Sequence, residues 1–301
     1  MTRVWGGRTL EQVYGRSLPD SQPYGESWEL SDREGEQSVV AGGALAGTTL
    51  HDLWIQQREK IFGTGLEGER FPLLIKILDA RQDLSIQVHP PSDVAERLEG
   101  EPKTEMWFIA RADPAAKLYV GLKKGVSIEQ FEAALSAGTV EECVHAVEPR
   151  AGESIFIPSG RLHAIGAGLL IYEIQQNSDT TYRVFDWNRP GLDGKPRDLH
   201  IDESLQCIDF SDYEPGMDTP NGDTLASCPY FVVEHLEIPE GGVCANPDPD
   251  RFSVVTVVDG ELRSRGGRSF QAGDFLLLPR GAAQLEATKA AAVLQTTIPG
   301  G

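Results

Sequence analysis

The feature that most restricts how this chain can fold is a stretch that occurs twice. Residues 151–176, AGESIFIPSGRLHAIGAGLLIYEIQQ, align without a gap on residues 272–297, AGDFLLLPRGAAQLEATKAAAVLQTT. Gly152 falls on Gly273, Pro158 on Pro279 and Gly160 on Gly281. Each copy reads as a tight A-G-[ED] turn, an apolar strand, a P-x-G turn and a further strand. Glycine and proline supply the backbone angles that such hairpins need. A second likeness lies upstream, with TEMWFIARADP before the first copy and SVVTVVDGELR before the second. A chain of 301 residues has room for two β cores on this plan.

Strand, G-[DE], strand, P-x-G, strand is the rhythm of a cupin jelly roll. The 32 glycines and 19 prolines punctuate short β-rich runs, which favours a sandwich or barrel. Three segments read as helices: 49–62, with Leu50, Leu53, Trp54 and Ile61 on one side; 92–99, after Pro90-Pro91; and 128–137, opened by a Ser127/Gln130 capping box. No helix alternates regularly with strands, so a doubly wound sheet is excluded. The expected fold is mainly β: two cupin-like jelly-roll units with a few helices inserted or packed outside. The expected division is a metal-binding unit over 1–190, a turn-rich linker over 191–228 and a second unit without a metal site over 229–301.

Charge narrows the partners. Against 27 Lys and Arg stand 46 Asp and Glu, a net charge of −19. Such a surface repels nucleic acid and anionic membranes, so a phosphorylated ligand needs a local basic pocket. The first residues lack the apolar core of a signal peptide, and no run approaches the length of a membrane span, so a cytoplasmic protein is expected. Cys143, Cys207, Cys228 and Cys244 show no CxxC spacing and read as reduced structural thiols.

The first copy carries polar residues where a barrel strand should be apolar. LSIQVHP (84–90) puts Ser85, Gln87 and His89 on one face, and KTEMWF (103–108) does the same for Lys103, Glu105 and Trp107. The P-x-G turn delivers His163. Two imidazoles, a carboxylate and an amide oxygen form a donor set for a catalytic Zn²⁺ or Fe²⁺. The second copy has Gln284 in place of His163 and no acid or imidazole in FSVVTVV. Downstream, Glu173 and Gln175 share a strand face, as do Thr181 and Arg183. Arg183 offers a fork for an anion or else pairs with Asp179 or Asp186. Lys76, the only charge within FPLLIKIL, either snorkels outward or lends charge to the pocket.

These stretches resemble those of the type I mannose-6-phosphate isomerases in their short form. The likeness rests on VWGG (4–7), GESWELS (25–31), LIKILDA (74–80), LSIQVHPP (84–91), KTEMWF (103–108), PSGRLHAIG (158–166) and QQNSDTTYRVFDWNR (175–189), and is weak beyond about 190. It implies one zinc ion per chain held by Gln87, His89, Glu105 and His163. It also implies that Arg183 is the active-site arginine, that Lys103 and Glu173 serve proton transfer or substrate contact, and that Ser85 lies near the phosphate. The implied reaction interconverts D-mannose 6-phosphate and D-fructose 6-phosphate through a cis-enediol. Two other readings of the residues stand beside it: an Fe²⁺ cupin dioxygenase, and a sugar-phosphate-binding cupin without turnover. The oligomeric state is left open.

Overall fold

A computed structural model describes residues 1–281 and 284–299; residues 282 and 283 of the second repeat and the last two residues lie outside it. The described chain is built from short strands joined by glycine-rich turns, with few helices, as expected of a jelly-roll fold. It divides into two compact units, but not where the sequence suggests. The first comprises Met1–Ser27 and Ile75–Asp218; the second comprises Trp28–Leu74 and the chain from Thr219 onward.

The first unit contains two antiparallel sheets. One runs in the order Thr2–Gly7, Leu73–Ala80, Leu169–Gln176, Glu105–Ala112, Ser154–Ile157; the other runs Tyr182–Phe185, Ile86–Val88, His163–Ile165, Leu118–Leu122, Val144–Val147. Leu78, Trp107, Ile109 and Ile171 of the first sheet share one buried cluster with Leu118, Val120 and Ile165 of the second. This shared core makes the unit a sandwich. The opposite face of the second sheet, through Ile86, Val88, Ala164 and Val184, packs on Phe131 and Cys207. Strand alternation then leaves Gln87 and His163 pointing into the sandwich.

Phe131 lies on the Ile128–Ala137 helix, whose Ser127/Gln130 capping box forms as predicted and whose Gly138 C-cap adopts φ 71°. The 92–99 helix forms as Ser92–Ala95 followed by a 3₁₀ turn, Glu96–Leu98. The 49–62 helix begins at its Thr49 cap but breaks at Gln57 into Leu50–Gln56 and Arg58–Ile61. Cys207 lies on a helix, Ile201–Cys207, inside the expected linker; this region belongs to the first unit as far as Asp218 and is no linker.

The second unit is a seven-stranded sheet centred on two long strands, Ser253–Ser264 and Gln284–Thr297, over a core of Val255, Val257, Leu262, Leu285 and Val293. Residues 28–74 belong to it because Trp54, Phe62 and Phe71 close an aromatic cluster around Phe252, with ring centroids 5.1–5.6 Å apart. Four buried rings outweigh chain contiguity with the 1–190 segment. The repeat also diverges in one informative way. In the first copy a turn at Gly166–Gly168 separates His163–Ile165 from Leu169–Gln176, which lie in different sheets. The second copy has Ala287 and Lys289 there and runs on as one 14-residue strand. Gly168 at φ +87° permits a reversal that lysine resists. All four cysteines are unpaired.

Candidate functional site

Register places the polar residues. On the second sheet of the first unit, His163 pairs with Gln87, and Gln87 pairs on its other side with Arg183. Directly opposed residues share a face, so Arg183, Gln87 and His163 form one row across three strands. On the facing sheet Gln175 pairs with Glu105 and Glu173 with Trp107. The sandwich thereby turns two sets of polar side chains toward each other.

His89, Glu105 and His163 meet at the centre, each at most 1% exposed. His89 Nε2 lies 3.6 Å from Glu105 Oε2 and His163 Nε2 lies 3.6 Å from Glu105 Oε1. Their ligand atoms all fall within 4.8 Å of one another, and no second such group of three forms among the described residues. Each imidazole is oriented from behind: Nδ1 of His89 donates to the Thr180 carbonyl at 2.9 Å, and Nδ1 of His163 to the Arg161 carbonyl at 2.8 Å. The Nε2 lone pairs are thus turned on Glu105, the usual outer arrangement of metal-binding histidines. Tetrahedral coordination with bonds of about 2.1 Å puts neighbouring ligand atoms roughly 3.4 Å apart. The two 3.6 Å separations, one to each Glu105 oxygen, lie close to that value. Both carboxylate oxygens of Glu105 are buried without a well-formed hydrogen bond, and only Oε2 has an ammonium beside it, so a bound cation would supply the partner that Oε1 lacks.

Gln87 is half-buried beside this group, with its amide nitrogen 3.4 Å from His163 Nε2 and its Oε1 accepting from Ser85 Oγ at 3.2 Å. A half-turn of the amide presents the oxygen to the group instead, and the Ser85 hydroxyl can serve either orientation. The four residues expected to hold a metal therefore lie together. The donor set fits a divalent cation.

Charge is arranged around the group with care. Lys103 Nζ lies 2.9 Å from Glu105 Oε2, 3.2 Å from His89 Nε2 and 3.8 Å from Glu173 Oε1. Burial opposes its ammonium, but Glu105 and Glu173 outweigh that and raise its pKa. Burial likewise opposes the Glu105 carboxylate, and the Lys103 ammonium holds it well below the ordinary range. Burial, then Lys103, pushes His89 down to about 4; burial also lowers His163. Both rings stay neutral and available as ligands. Glu173 completes the set: Oε1 faces Lys76 at 3.3 Å and Oε2 accepts from Trp107 Nε1 at 3.1 Å. Lys76 is 4% exposed and turns inward.

A cleft of about 610 Å³ opens over this network, lined among others by Lys76, Ser85, Gln87, Lys103, Glu173 and Arg183. Of the site residues expected from the sequence, Lys76, Ser85, Gln87, Lys103, His163, Glu173 and Arg183 line the cleft, and His89 and Glu105 are buried against Lys103 and His163. Arg183 pairs with neither Asp179 nor Asp186; its Nη1 donates to the Asp198 carbonyl at 2.8 Å. The sequence reading missed Arg197 and Arg3, which also line the cleft. Residues 191–197 were expected to be connection only. Their glycine- and proline-rich composition announces irregular backbone but not its position. Left-handed Trp187 and Asn188 (φ 56° and 53°) turn this segment back across the cleft.

With this geometry in place, similarity to known proteins is informative. Residues 1–106 match the family model of the phosphomannose isomerase type I catalytic domain. The chain is 38% identical over 292 residues to the mannose-6-phosphate isomerase ManA of Bacillus subtilis, covering 93% of this chain and 90% of that one. It belongs to the type I phosphomannose isomerase family. A crystal structure of the mannose 6-phosphate isomerase of Bacillus subtilis superposes with a TM-score of 0.87 at 29% identity, covering 99% of this chain and 97% of that one. A zinc-bound holo mannose 6-phosphate isomerase shares the fold, with a TM-score of 0.77 at 16% identity over 99% and 97% of the two chains. As a member of the phosphomannose isomerase family, the chain keeps its donor group in the first unit. In the second, Gln284 is exposed and accepts from Arg265 at 3.0 Å, and the Ser253–Ser264 strand offers no acid before Asp259.

Proposed function

We propose that this chain interconverts D-mannose 6-phosphate and D-fructose 6-phosphate, with the first unit as the catalytic one. The observation that carries the reading is the buried His89–Glu105–His163 group beneath a cleft lined by Lys103, Glu173 and Arg183. The names borne by the relatives support it. We further propose zinc, one ion per chain, held by Gln87, His89, Glu105 and His163; such an ion polarises a substrate carbonyl as a Lewis acid.

The remaining roles belong to the chain's own groups. Isomerisation moves a proton from C2 of the open-chain aldose to C1 through a cis-enediol. Glu173 is the proposed base, because its carboxylate stands at the cleft wall while Lys103 is held as an ammonium by two carboxylates. Trp107 and Lys76 orient that carboxylate. Lys103 and Arg183 face negative charge as it develops on the sugar oxygens, and Ser85 lies at the cleft floor as a substrate contact. The free thiols fit a cytoplasmic location, and no helix among the described residues is long and apolar enough to cross a membrane.

The test is a coupled assay of fructose 6-phosphate formation from mannose 6-phosphate, with chelator and with zinc restored. Turnover that chelator abolishes and zinc restores is expected. Oxygen consumption with iron in the purified protein would instead establish the dioxygenase, and ligand-induced stabilisation without turnover would establish a binding protein.

A further inference from the structure

One part of the cleft wall has no role in the chemistry above: the loop over residues 189–197. Its base is clamped. Arg189 Nη2 and Arg197 Nε donate to the two oxygens of the buried Asp186 carboxylate, at 3.0 and 2.7 Å. Above that clamp Pro190 bridges Pro196, and Gly191 N donates to the Lys195 carbonyl at 2.7 Å. At the tip Lys195 N donates to Asp193 Oδ1 at 3.0 Å, and Gly194 turns the chain at φ 78°. Arg183 Nη1 holds the exit through the Asp198 carbonyl at 2.8 Å. A short loop bonded from base to tip in this way is a preformed flap.

Residues 192–196 are all exposed to solvent, yet Gly191, Leu192 and Asp193 line the cleft. Leu192 is 54% exposed. No other large apolar residue of the described lining is exposed, and Trp5, Leu78, Leu84, Trp107 and Ile165 are all buried. A lone leucine on an open surface needs no explanation. Leu192 instead sits on a clamped loop at the cleft, among polar neighbours such as Arg3, Asp179 and Arg183.

Shielding is what the transfer of hydrogen from C2 to C1 requires. Abstraction breaks C2–H, its electron pair forms the C1=C2 bond, and O1 takes up a proton. Return of the hydrogen from Glu173 makes the new C1–H bond, while O2 gives up its proton and becomes the ketone oxygen. Between these steps the hydrogen sits on the Glu173 carboxyl as an exchangeable O–H. A water that reaches it swaps it for a solvent proton. Glu173 is buried and lines the cleft, so solvent reaches it from the space that Leu192 also lines.

We propose that Leu192 is a shielding residue, lying against the carbon chain of the bound sugar phosphate and keeping water from the hydrogen held by Glu173; the assignment rests on the isomerase reading above. An apolar side chain suits the task because it covers carbon and offers water no hydrogen bond. The test gives the zinc-loaded full chain mannose 6-phosphate deuterated at C2, in ordinary water. NMR of the early product measures deuterium at C1 of fructose 6-phosphate. Wild type is compared with Leu192→Ser, Leu192→Met and Leu199→Ser; Leu199 is likewise exposed, just past the loop, but is not among the lining residues. Leu192→Ser should lower the retained deuterium severalfold and kcat/KM about 10-fold, the scale for losing one apolar contact. Leu192→Met should recover both, and Leu199→Ser should match wild type. Equal melting temperatures and zinc contents separate shielding from damage to the loop. Unchanged retention in Leu192→Ser, an equal loss in Leu199→Ser, or a wild type that keeps no deuterium would overturn the proposal and leave the isomerase reading intact. A wild type that forms no fructose 6-phosphate would sink that reading, and the proposal with it.

Discussion

Replacing Glu105 with glutamine isolates what the buried carboxylate does, because shape is kept while charge is removed. In the metal-free protein Glu105 is fully buried and lies 2.9 Å from Lys103, itself 4% exposed. After substitution the Lys103 ammonium keeps only Glu173, at 3.8 Å and shared with Lys76. Breaking one partner of a buried pair costs about 3–5 kcal/mol, because the other charge stays desolvated. The chelated Glu105→Gln protein should therefore melt well below chelated wild type, by roughly 6–20 °C on the scale for domains of this size. Adding Lys103→Met should recover much of the loss, since no charge is then stranded. Zinc content by atomic absorption should drop as well, for a neutral amide replaces the one anionic ligand of the set. Differential scanning calorimetry of the wild type, both single variants and the double variant gives the coupling energy directly. A Glu105→Gln protein that melts with wild type, or that still holds stoichiometric zinc, would refute the reasoning.

Other outcomes follow from the same geometry. Arg183→Lys should lower kcat/KM about 10- to 100-fold in steady-state assays, because a point charge cannot reproduce the fork. Trp107→Phe deletes the donor to Glu173 Oε2 while keeping the ring against His163, whose centroid is 5.3 Å away. Without that donor the carboxylate is less firmly aimed at the substrate, so kcat should fall with KM little changed in steady-state assays. The chelated protein should also lose stability in acid. Its folded state holds His89 neutral down to about 4 and lowers His163, whereas the unfolded chain protonates histidine near 6.5. Unfolding then takes up protons below pH 6.5, so stability present above that pH falls as pH drops toward 4, by about 1.4 kcal/mol per unit for each such histidine. Urea melts at pH 7.5, 6 and 4.5 measure it.

The legible parts of the molecule were those governed by local rules. The Ser127 capping box, the Gly138 stop and the P-x-G turns are set by neighbours within four residues, and each forms as read. The convergence of His89, Glu105 and His163 was legible because alternation along LSIQVHP and KTEMWF fixes a face, and a polar residue on an inward face needs a reason. What escaped depends on contacts distant in sequence. Residues 28–74 join the second unit through Phe62 and Phe71 against Phe252, almost two hundred residues away. Arg197 reaches the cleft because Asp186 grips it and because Trp187 and Asn188 adopt a left-handed backbone that nothing in those residue types announces.

The two units together show why the first keeps charges in its interior. Lys76, Lys103, Glu105 and Glu173 place two cations and two anions where each is at most 4% exposed. Their mutual attraction at best offsets the desolvation, and apolar residues of similar volume would hold a sandwich as well or better. The second unit is that alternative. It repeats the hairpin and the P-x-G turn yet fills its core with Val255, Val257, Leu262, Leu285 and Val293. Its Gln284, at the place of His163, faces solvent and meets Arg265. Since the same turn grammar folds with or without buried ions, packing does not require them. The charges of the first unit are therefore to be understood through the chemistry of the cleft above them, and their near-neutral sum lets that interior stay folded before any cation or sugar phosphate arrives.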